Sequence, residues 1–237
     1  MDVSINADAG VGVLDAGRAA LRRFWRPFVL IQLVAVALVV AYHASAGVRA
    51  ACAALAAWKT AGGLPLAAAS AAFAGGLLPE LAKAVALRGR APLRGRGGEI
   101  AFNVAFFAGN GVVVDFLYRG EARLFGLGTG ASTVAAKVAF DQFVFTPPWL
   151  CLITALYLFR ARGFSWAATR PAFATGYWRT RVLPLLLPDW LFWIPMVCVV
   201  YAFPLPLQFL LFILALAAWS LILVVIAGGE TGGEAAG

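Results

Sequence analysis

The chain has 237 residues, 62% hydrophobic and 13% charged, with a formal net charge of +8 that is almost all arginine. Soluble domains are roughly 45–50% apolar and about 25% charged, so a soluble globular enzyme or a nucleic-acid module with a basic, aromatic soluble face is excluded. Apolar runs approach the ~20 residues a helix needs to cross a bilayer, while the alternating segments of about ten residues that mark a membrane β-barrel are absent. The fold class is therefore all-α: a polytopic transmembrane helical bundle.

Residues 1–13 are small and polar and are expected to be disordered. Leu14 to Pro27 can form a short amphipathic helix with Arg18, Arg22 and Arg26 on one face, suited to lie in the membrane interface as part of an N-terminal segment, 1–26. Asp2, Asp8 and Asp15 count against a mitochondrial presequence, which is poor in acids, and no cleavage site suggests a secretory signal. A first span is expected over 27–43, a short helix over 50–58 and a second span over 62–78. In the second span, Ala71 with Gly75 and Ala72 with Gly76 set small residues on one face, which permits close helix packing inside a bundle.

A basic loop, 88–98, leads to a third span over 99–117 in which Asn103 and Asn110 share a stripe, with Asp115 near its end and within reach of water. Arg119 and Arg123 lie in the next short loop. The fourth span falls in the apolar run 132–159. A second basic connection, 160–188, is rich in tryptophan and tyrosine, which suit the interface. The fifth span covers 187–201, Pro204 and Pro206 break the helix, and the sixth runs to about 227, closing a single transmembrane domain over 27–227 before a flexible tail, 228–237. Connections on alternate sides carry 14 and 4 basic residues. That bias fits about six spans with both termini on the cytoplasm-like side.

The polar groups inside the spans are the candidate functional residues. Lys137 and Asp141 stand one helical turn apart, with Gln142 beside Asp141. A charge at mid-span costs about 2.5–3.5 kcal/mol on insertion scales, and such a pair reduces that cost. Two readings stay open. Either Lys137, Asp141, Gln142, Asn103, Asn110 and Asp115 line a wet path for solutes, or the pair is an internal clamp that only locks the bundle. Pro147 and Pro148 cannot donate backbone hydrogen bonds, so the fourth helix is expected to kink or break there. Cys52, Cys151 and Cys198 are isolated and read as small core residues, and His43 stands alone at a span end. No metal-ligand cluster, catalytic triad or phosphate loop is present, so neither enzyme activity nor a cofactor is expected.

At these residues the chain resembles the family of Mpv-seventeen and the twenty-two-kilodalton peroxisomal membrane protein. Lys137, Asp141, Gln142 and Pro147 match the family's lysine, Asp-Gln and proline at every spacing. Gly111 and Tyr118 match a glycine and tyrosine upstream. Trp190, Trp193, Pro195, Pro204 and Trp219 look like its later tryptophans and prolines. The likeness covers 60–227, with departures at Val112, at Ile194 and around Cys198, Tyr201, Ala202 and Gln208. The resemblance implies a four-helix core, here with an added N-terminal span, in a bacterial inner membrane or an organelle membrane, mitochondrial inner or peroxisomal. It also implies a channel-like role in passing small solutes. The expected partners are membrane lipids, small solutes and further copies of the chain, and not nucleic acid.

Overall fold

A computed structural model describes residues 13–86, 96–173 and 176–233, and no strand occurs among them. Among the described residues nine α-helices follow in order: α1 Val13–Ala44, α2 Ala46–Ala71, α3 Leu78–Ala86, α4 Gly97–Phe125, α5 Ala131–Phe140, α6 Thr146–Ala161, α7 Trp166–Thr169, α8 Leu183–Tyr201 and α9 Leu205–Gly233. Four continuous helical stretches are long and apolar enough to cross a membrane: Ala46–Val85, Gly97–Phe125, Ala131–Ala161 and Trp178–Tyr201. Two shorter apolar helices, Val29–Ala44 and Leu205–Leu221, stand where the first and sixth spans are expected. The chain is thus an all-helical membrane protein.

Several boundaries differ from expectation. The interfacial helix over 14–27 and the first span form one continuous helix, α1. The short helix over 50–58 and the second span belong to one 40-residue stretch, interrupted only where Gly63 takes φ 53°. Only glycine enters that region without steric cost, and the interruption lies two residues before Pro65, whose missing N–H an unbroken helix would have to accommodate. Arg119 and Arg123 lie within α4 rather than in a loop, and α9 continues to Gly233 through the first part of the expected tail. Most of the basic loop, at 87–95, and most of the N-terminal polar segment, at 1–12, fall outside the described residues.

The fourth helix neither ends nor breaks at Pro147-Pro148. It widens into one π-helical turn, Asp141–Phe145, and continues as α6. Among the described residues the same device occurs three times. Segments Ala72–Leu77, Asp141–Phe145 and Trp178–Val182 are π-helical, and each is followed by one residue and then a proline: Pro79, Pro147 and Pro184. The residue before each proline donates its N–H five residues back: Leu78 to Phe73 O, Thr146 to Asp141 O, and Leu183 to Trp178 O. In an α-helix a proline ring meets the carbonyl four residues earlier. A wider turn relieves that clash, so the helix passes the proline instead of stopping.

The described residues divide into two compact units, where one domain is expected. In the unit formed by Leu30–Lys137 and Met196 onward, α2 and its π turn pack on α4 and α9. The expected small-residue face is buried there at Ala71, Gly75 and Gly76 and half-buried at Ala72, and Ala67 and Ala74 are buried beside it. A Cβ added to Gly111 would stand 2.4 Å from Ala67 O and 2.6 Å from Ala71 Cβ, so α4 touches the α2 backbone directly. Tyr201, Phe203, Phe209 and Phe212 fill the remaining interior. In the other unit, α6 packs on the π turn before α8. The Tyr177 hydroxyl donates to Thr154 Oγ1 at 2.9 Å, and burial raises the Tyr177 pKa above its usual value. Cys198 is exposed and Cys52 and Cys151 are half-buried, so none of the three is the buried core residue expected.

Candidate functional site

Among the described residues of the α2–α4–α9 unit, the buried Glu80 is held by Lys83 Nζ at 2.8 Å and Arg96 Nη2 at 2.9 Å, and two further groups of buried polar side chains hold sequence candidates. In the first, Lys59 on α2 reaches Asp115 on α4, Nζ to Oδ1 at 2.7 Å, and lies 4.7 Å from the Phe209 ring centre. Arg119, one turn beyond Asp115 and 46% exposed in its side chain, holds the other oxygen, Nε to Oδ2 at 2.8 Å. Asp115 is 4% exposed, so it does not reach water as its position near a span end suggests. Because α4 runs eight residues past the expected span end, Asp115 sits in its interior. Lys59 was not among the sequence candidates. Its signal is that it is the one charge between Arg49 and Glu80.

In the second group, Tyr201 donates its hydroxyl to Glu121 Oε2 at 2.6 Å, and Tyr118 meets the Tyr201 ring edge-on at 5.6 Å. Lys137 places Nζ 5.8 Å from the centre of the Tyr201 ring, inside the range of a cation–π contact. Its ammonium is within electrostatic range of Glu121 but makes no hydrogen bond and no ion pair, and Lys137 is 1% exposed. The expected clamp between Lys137 and Asp141 is therefore not formed. The helix changes to π geometry at Asp141, and Lys137 is occupied by the tyrosine ring instead. Glu121 lies between Arg119 and Arg123 in a stretch that reads as a basic loop, so its burial is visible only once α4 is seen to continue through it.

In the other unit, Asp141 and Gln142 open the π turn and are both buried. Thr146 Oγ1 donates to Asp141 Oδ1 at 3.4 Å, and Asp189 on α8 is within electrostatic range of Asp141. Trp190 Nε1 donates to the Gln142 carbonyl at 2.9 Å, and its ring packs on Phe143 at 5.1 Å. Thr146 bonds Asp141 O rather than Gln142 O, and the next residue, Pro147, has no N–H. Trp190 supplies the donor that this carbonyl loses. The Gln142 side-chain Oε1 is buried and accepts no hydrogen bond.

The remaining sequence candidates are placed as follows. Asn110 and Gly111 are buried on α4, and Asn103 is half-buried. Trp193 is half-buried against Phe192 at 5.2 Å, and Pro195 is exposed within α8. Pro204 is exposed at the break before α9, where Gln208 Nε2 donates to Phe203 O at 2.9 Å. Trp219 is half-buried on α9. Among the described residues, no three His, Cys, Asp or Glu side chains gather as a metal-holding group. No protein-family profile, curated protein or solved structure matches the chain.

Proposed function

We propose that this membrane protein is channel-like and passes small solutes, with Lys137 on the path. The observation that supports the reading is the Lys137 ammonium, buried inside the α2–α4–α9 unit with three N–H donors and no acceptor. A buried charge without hydrogen bonds costs several kcal/mol, and a residue that served only to hold helices together would be paired, as Lys59 is. Ionisable groups inside membrane helices mark solute or proton paths by default. Glu121 and Tyr201 stand beside Lys137, so the path offers a cation, a carboxylate and an aromatic face. The resemblance to the Mpv-seventeen family points the same way.

The Lys59–Asp115–Arg119 group supports a second reading, in which buried polar groups lock the bundle and pass nothing, because each of these charges is satisfied within the chain. Solute flux from liposomes separates the two. Wild type is compared with Lys137→Met and with Asp141→Asn, and folding of each is checked by thermal unfolding in detergent. Flux by wild type that changes in rate or selectivity in a folded Lys137→Met protein supports the path. Absence of flux from folded wild type sinks it and leaves the locking role.

A further inference from the structure

The segment between α6 and α8 carries Arg162, Arg170, Arg179 and Arg181, yet no Asp or Glu occurs anywhere between Asp141 and Asp189. Arg170, Arg179 and Arg181 are exposed. The segment joins two helices long enough to cross a membrane, one ending at Ala161 and the next beginning at Trp178, so it lies at a membrane surface. Its shape is set by the chain itself. Arg162 Nη1 donates to the Ala168 carbonyl, the Ser165 hydroxyl caps α7, and Thr169 Oγ1 donates to Ser165 O at 2.7 Å. Within this closed turn Phe164 takes φ 59°, the one non-glycine residue with positive φ among those described. A bulky side chain is strained there. The turn carries that strain and leaves the Phe164 ring 58% exposed, beside Trp166 at 61% and, across the segment, Trp178 at 42%.

We infer that this segment is a docking site for anionic phospholipid headgroups, with the arginines on the phosphates and Phe164, Trp166 and Trp178 seated among the upper acyl chains. Guanidinium matches phosphate geometry in two-point hydrogen bonds. Aromatic rings with polar edges favour the depth just below the phosphates. The segment's four arginines meet no acidic residue within it, so an anionic partner complements its charge. The site uses none of the residues grouped with Lys137 and stands whether or not the chain passes solutes.

The test is quenching of tryptophan fluorescence in the whole protein, reconstituted in bilayers that mix brominated with ordinary lipid. Brominated phosphatidylglycerol is expected to bind more tightly than brominated phosphatidylcholine. Each surface arginine contributes about a factor of five, so the triple substitution Arg170→Gln, Arg179→Gln, Arg181→Gln removes most of the preference while thermal unfolding stays unchanged. The wild-type preference also falls as KCl is raised, which checks the reading without any variant. Equal quenching by the two lipids overturns the site, as does a preference that survives the triple substitution. Displacement of the lipid by millimolar inorganic phosphate would show that a free anion is the ligand and overturns the lipid assignment.

Discussion

Lys59 and Asp115 form a buried pair whose two members have unequal alternatives, and this makes their removal informative. Both side chains are almost fully buried at a 2.7 Å contact. Breaking such a pair by removing one partner costs about 3–5 kcal/mol, because the survivor is left charged and unpaired. Asp115→Asn leaves the buried Lys59 charge without a counter-charge, with only a neutral amide oxygen and the Phe209 ring, a contact of roughly 0.5–2 kcal/mol, and is expected near the upper end of that range. Lys59→Met leaves Asp115 with Arg119, whose half-exposed side chain already holds the second oxygen. It is expected to cost roughly 1–3 kcal/mol. The double variant removes both charges and is expected to be less destabilised than Asp115→Asn alone. In a chain of this size 1 kcal/mol moves the melting temperature by about 2–4 °C. Thermal unfolding of the four proteins in detergent therefore shows Asp115→Asn lowest. The reasoning is refuted if the two single variants fall equally, or if the double variant loses the sum of their losses.

Three further outcomes follow from the geometry. Gly111→Leu should drive α4 away from Ala67 and Ala71 and lower stability by about 1–3 kcal/mol or more, whereas Gly109→Leu, with open space around its Cα, should change little; melting of the two variants compares them directly. Trp190→Phe keeps an aromatic ring against Phe143 but leaves the Gln142 carbonyl without its donor, at a cost of about 1–3 kcal/mol. A melting temperature equal to wild type would show that water replaces the indole. The Tyr177 pKa is raised by burial above its usual value of 10.0. The fold therefore favours the neutral phenol, and this contribution is fully present below pH 10 and lost as the pH rises through the folded value. Melting measured from pH 8 to 11 should show a steeper alkaline fall for wild type than for Tyr177→Phe.

The helical class and the membrane were legible because they depend on composition and run length, which need no tertiary information. The small-residue face at Ala71 and Gly75 was legible for the same local reason, as was the break at Pro204. The matched positions Gly111, Trp190 and Pro147 were visible as a pattern but not as a mechanism. The structure shows that Trp190 replaces the hydrogen bond that Pro147 removes, and that Gly111 admits the α2 backbone.

The polar interior was read less well. Lys137 and Asp141 suggest a pair by spacing, since residues four apart on an α-helix are neighbours. Spacing presumes regular helix, and the proline two residues beyond the π turn changes the geometry at Asp141. Partners from distant parts of the chain then decide the outcome: Tyr201 and Glu121 for Lys137, Lys59 for Asp115, and Trp190 for Gln142. Local pattern sets which residues are helical and which are expensive to bury, because those terms act along a few turns of chain. Which expensive residue meets which partner is a long-range term. Eighty residues separate Glu121 from Tyr201 and fifty-six separate Lys59 from Asp115, and only the packed helices bring them together.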